Sequence, residues 1–99
     1  MLFLSMKKAH AFSLPIIISR EGKHYVAYCP ALDLSTVGKT EVDAKRMFHE
    51  AAELFFEELV AMGTLDKALS DLGWEKDKKT HRPPAIIRRA TMRVKTPAR

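Results

Sequence analysis

Four histidines, one cysteine and twelve carboxylates are the groups of this 99-residue chain that could do metal, nucleophilic or acid–base chemistry. His10, His24, His49 and His81 fall in four different expected elements. No pair has the spacing of metal ligands within one element, and Cys29 alone could join them. As a nucleophile Cys29 would need a base or a positive neighbourhood to ionise. His24 lies five residues away, an odd spacing that puts the two side chains on opposite faces of one strand. Cys29 therefore reads as a buried structural residue. Metal-assisted hydrolysis needs several acidic groups converging from strands and a helix end. Here half of the carboxylates lie along one expected helix, on its first turn and its exposed face. The four glycines are isolated at turns and caps, so no phosphate-cradling loop is expected. The residues point to a protein that is not an enzyme, with no metal and no cofactor.

Charge is the next signal. The net value of +5 conceals an uneven distribution. Residues 1–10 carry Lys7 and Lys8. Residues 11–75 hold six basic against eleven acidic side chains, a net of −5, and residues 76–99 hold nine basic side chains against Asp77 alone, a net of +8. The chain is an acidic body with a basic tail. Arg88, Arg89, Arg93 and Lys95 are the tail's candidate nucleic-acid contacts. No aromatic residue is interleaved there for base stacking, and no helix pair follows to enter a groove. A partner-facing or solubilising tail is the favoured reading.

The elements that must position these groups follow from periodicity and punctuation. Phe12–Arg20 is predicted as an edge strand, because Pro15 lacks an amide hydrogen. It joins His24–Cys29 in a hairpin across Glu21-Gly22-Lys23, and Leu32–Val37 makes a third strand, giving an antiparallel meander. Thr40 is a good N-cap with Asp43 three residues on. Ala44, Met47, Phe48, Ala51, Phe55, Leu59 and Met62 then form one apolar stripe of a long helix that Gly63 ends. A shorter helix is predicted from Thr64 to Leu72, with Trp74 as a lid over the end of the core. Alternation over Ala85–Val94 predicts a fourth strand. The expectation is an α+β fold of order β-β-β-α-α-β: an extension over 1–10, a domain over 11–75, a linker over 76–84, a strand over 85–95 and a frayed end over 96–99. A single cysteine argues against a disulfide framework. The apolar start Met1–Met6 is too short for a secretory signal, and no run reaches the roughly 20 apolar residues of a membrane span. A cytoplasmic protein beginning at Met1 or Met6 is expected.

The segment from Tyr25 to Ala44 resembles the signature stretch of HicB-family antitoxins: an aromatic strand, Cys-Pro-x-Leu-Asp, a short strand, Gly-x-Thr, then an acidic residue and Ala opening a helix. Cys29, Pro30, Leu32, Asp33, Gly38, Thr40, Asp43 and Ala44 supply it in order. The run from Met62 to Trp74 is similar to a version of the family with an extra short helix. The resemblance implies a β-β-β-α-β unit, a worn-down RNase H-like fold without catalytic acids. It also implies a partner, a HicA-type ribonuclease toxin whose active surface the antitoxin covers. Many members carry a DNA-binding module, and none is recognisable here.

Tyr25, Tyr28 and Asp33 are the residues expected near such a partner, with Glu50, Glu53 and Glu57 on the acidic helix face. The odd spacing of Tyr25 and Tyr28 allows at most one of them to face it. A small core and an edge strand point to a homodimer or higher homo-oligomer. The alternatives are a stand-alone oligomeric binding module without a toxin, and a nucleic-acid-binding regulator acting through the basic tail.

Overall fold

A computed structural model describes residues 12–78 and 80–98. Three strands, β1 (Ile17–Glu21), β2 (His24–Cys29) and β3 (Leu34–Gly38), form an antiparallel meander in the order β1-β2-β3. Helix α1 (Glu41–Met62) packs across it, and α2 (Leu65–Asp71) follows. A two-strand hairpin, β4 (Glu75–Lys76) and β5 (His81–Arg82), completes the α+β fold. Among the described residues no helix is long and apolar enough to cross a membrane.

Local chemistry sets the ends of α1. The Thr40 hydroxyl accepts a hydrogen bond from the Asp43 amide at 3.0 Å, as an N-cap should. At the other end Gly63 takes the left-handed conformation, with φ 71°, while the amides of Gly63 and Thr64 donate to the carbonyls of Val60 and Leu59. The face that α1 buries differs from the predicted stripe. Ala44 and Phe48 are buried, Ala52, Phe55 and Phe56 pack beside them, and Met47 and Met62 are 42% and 68% exposed. The sheet covers only part of the helix. Met62 lies beyond that cover, and Met47 points to one side of it.

The core lies between sheet and helices: Ala27, Cys29, Ala31, Leu32, Ala44, Phe48, Leu69 and Trp74. Alanines at 27, 31 and 44 let the layers approach closely. Trp74 closes one end, its indole N–H donating to the Ala31 carbonyl at 2.8 Å and its ring edge-on to Phe12.

Several boundaries differ from the sequence expectation. Strand β1 begins at Ile17 rather than Phe12. Phe12, Leu14 and Ile16 still pack on the core, but Pro15 interrupts any ladder before β1. Leu32 and Asp33 belong to a turn, so β3 starts at Leu34. Helix α2 is one residue shorter at each end than predicted. Residues 85–95 form no strand; the C-terminal strands lie earlier in the chain, at the junction of the expected domain and linker (Glu75–Lys76) and within the linker (His81–Arg82). The expectations for residues 1–10 and for the start at Met1 or Met6 fall outside the described residues.

Candidate functional site

The stretch from Cys29 to Ala44 has a structural explanation at most of the positions that the sequence analysis singled out. Cys29 is fully buried at the end of β2. Pro30 and Asp33 shape the turn, with the Asp33 amide donating to the Pro30 carbonyl and Asp33 in the left-handed region at φ 50°. Aspartate tolerates that conformation better than most residues. The turn aims the Asp33 carboxylate at Tyr28, whose hydroxyl donates to Oδ1 at 3.1 Å. This hydrogen bond, then burial, then the negative charge of Asp33 raise the Tyr28 phenol above its ordinary value of 10.0.

Tyr25 and Tyr28 stand on opposite faces of β2. Tyr25 lies on the side of buried Ala27 and Cys29 and packs against the core. Tyr28 lies on the outer face of the sheet, in register with Ile17 and Ser35. Ile17 and Val37 are 44% and 51% exposed on that outer face. The candidate partner residues thus divide into two groups that share no surface. Tyr28 and Asp33 are at the open face of the sheet, while Glu50, Glu53 and Glu57 are on the solvent side of α1.

The helix group is the denser one. Asp43, Glu50 and Glu57 recur every seven residues and so form one column along α1. The exposed apolar pair Met47 and Leu54, also seven apart, runs beside them. Arg46 bridges Asp43 at 3.8 Å and Glu50 at 3.4 Å, and His49 lies 3.7 Å from Glu53. Glu57 makes no ion pair among the described residues. Sequence reasoning found the carboxylates and missed the exposed apolar pair, because Met47 was assigned to the core. Met47 and Leu54 at solvent-facing positions, flanked by acids, make an apolar strip with a negative rim.

The basic tail divides in two. The first part is folded on itself and on α2. Lys76 reaches Asp66 at 2.6 Å, His81 Nε2 lies 2.8 Å from the other Asp66 oxygen, and Arg82 pairs with Asp77 and Glu75. Asp66 is held below its ordinary value of 3.8, first by the Lys76 hydrogen bond and then by His81. Its contribution to holding the hairpin is therefore present above pH 3.8 and is lost as pH falls through its lower, folded value. Asp66→Asn is expected to speed amide exchange at Asp77, whose N–H donates to the Thr80 carbonyl at 2.8 Å, while leaving β2 protected. Equal exchange in both proteins would show that the β4–β5 pairing holds the hairpin without Asp66. The second part begins at Pro83-Pro84 and is an exposed arm. Arg88, Arg89, Arg93 and Lys95 lie on it and make no ion pair among the described residues.

Among the described residues no group of three or more His, Cys, Asp or Glu side chains could hold a metal ion. The geometry defines a small α+β domain with an acidic, partly apolar helix face and a cationic arm. Comparison with protein-family models, with curated proteins and with solved structures gives no match.

Proposed function

We propose that this chain is a non-catalytic antitoxin-like protein of the cytoplasm that binds a small, basic ribonuclease of the HicA type and covers its RNA-binding surface. The observation that carries this reading is the helix face just described. Asp43, Glu50, Glu53 and Glu57 present negative charge around the exposed Met47 and Leu54. An RNA-cutting protein must carry a positive surface, and such a surface is electrostatically complementary to this face and not to the arm. The likeness of residues 25–44 to the HicB signature supports the same conclusion, and the meander with its helix corresponds to the β-β-β-α part of the implied unit, whose closing strand is not on this sheet. The mechanism would be steric, with no residue of this chain taking part in chemistry.

The test is co-expression with the product of the adjacent small reading frame, followed by co-purification and a growth assay. A neighbour that arrests growth alone and is relieved by a stable complex supports the reading; a neighbour with no toxicity and no complex removes it. Within the complex, reversing charge at Glu50, Glu53 and Glu57 together is expected to slow association on the order of tenfold at low salt. The effect should shrink as salt screens it. Unchanged rates would exclude this face. The nucleic-acid reading rests on Arg88, Arg89, Arg93 and Lys95 alone, and a steep fall of RNA or DNA binding with salt is its signature.

A further inference from the structure

The segment that the sequence marks as a strand has no strand partner among the described residues. Within residues 85–95 the stretch 90–95 alternates as a strand should, with Ala90, Met92 and Val94 on one side and Thr91, Arg93 and Lys95 on the other. Yet residues 85–95 carry no secondary structure and are exposed throughout, Ile87 at 89%, Met92 at 81% and Val94 at 76%. Pro83 and Pro84 stiffen the connection between the hairpin and this arm.

The body in turn offers a sheet edge with nothing on it. Both β1 and β3 are edge strands among the described residues. Proteins blunt such edges with charge, proline or bulges. The β1 edge has this protection, with Arg20 and Glu21 in the strand and Pro15 before it. The β3 edge, Leu34-Ser35-Thr36-Val37-Gly38, carries no charged residue and no proline. Carboxylates stand at both of its ends, Asp33 before and Glu41 and Asp43 after, against Lys39 and the Arg46 that bridges Asp43. The arm brings Arg88, Arg89, Arg93 and Lys95.

We propose that the arm adds as a strand to the β3 edge of a second copy of this chain, and that the exchange is reciprocal. Main-chain hydrogen bonds to β3 would supply the attraction that the exposed arm lacks. Ala90, Met92 and Val94 would extend the helix-covered face of the sheet, and Arg93 and Lys95 would remain on its open face. Each copy gives one arm and receives one, so the assembly closes as a two-fold dimer. This dimer does not depend on the antitoxin reading and stands or falls on a separate experiment.

Light scattering on the purified full chain across a wide concentration range, with amide exchange, is that experiment. The unmodified protein is expected to be a dimer whose Thr91–Val94 amides are protected. Met92→Pro removes a strand donor at an exposed position, and Val37→Lys places a cation on the receiving edge. Both variants should be monomers with unprotected arms, while the amides of β2 and the long helix stay protected as in the unmodified protein. A monomeric unmodified chain overturns the proposal, as does a dimer that survives Met92→Pro. So does a monomer whose arm amides are already protected, which would mean that the arm closes on its own chain. Arm protection that appears only on adding polyuridylate would assign the arm to RNA instead.

Discussion

Gly38→Ala is expected to destabilise the domain by about 3 kcal/mol or more, the largest effect of any single-methyl change in this chain. A β-carbon at Gly38 would overlap the backbone nitrogen of Ala44 and come within 2.8 Å of the Asp43 carbonyl carbon and its β-carbon. Those atoms belong to the first turn of α1, so no flexible side chain can yield. The start of the helix would have to lift from β3, weakening the Thr36 hydroxyl bond to the Ala44 carbonyl, now 3.0 Å, and exposing the fully buried Ala44. For a domain of this size the loss corresponds to a fall in Tm of roughly 12 °C or more. Gly63→Ala provides the contrast: nothing lies within 4 Å of the added carbon, and only the positive φ of 71° penalises it. That variant should lose about 1 kcal/mol. Thermal melts by circular dichroism check both, and a Gly38→Ala melt within a few degrees of the parent would show that α1 can start elsewhere.

Trp74→Ala should cost about 3–5 kcal/mol, and Trp74→Phe about 1–3 kcal/mol. The two numbers separate two roles of one side chain. Trp74 fills the end of the core between Phe12 and Phe56, with ring centroids at 5.2 and 6.2 Å. Alanine leaves a cavity there. Phenylalanine restores much of the volume but leaves the Ala31 carbonyl, on a residue only 3% exposed, without its donor. Denaturant titration followed by circular dichroism is the measurement, since the chain has a single tryptophan and both variants remove its fluorescence. Equal losses in the two variants would mean that the hydrogen bond, not the packing, fastens this end.

Much of the candidate site was legible before any coordinates. The odd spacing of Tyr25 and Tyr28 places them on opposite faces, and the structure has Tyr25 packed on the core and Tyr28 outside. The bond from Tyr28 to Asp33 was not legible, because it needs Asp33 at a positive φ that its residue type permits but does not announce. The apolar strip of Met47 and Leu54 was hidden for another reason. Helical spacing shows which residues share a side of α1 but not which side the sheet will cover.

Sequence alone determined the features whose causes are local: the meander's first turn at Gly22, the N-cap at Thr40, the helix end at Gly63, and the division into an acidic body and a basic tail. Each depends on residues within a few positions of one another. Tertiary structure decided the rest. The hairpin of β4 and β5 docks on the preceding helix through Asp66, ten and fifteen residues away, which binds Lys76 and His81. Residues 90–95 also alternate as a strand would and form none, because a strand is completed by a partner and none of the described strands lies beside them. A capped helix satisfies its backbone within its own segment, whereas a strand's hydrogen bonds must come from elsewhere.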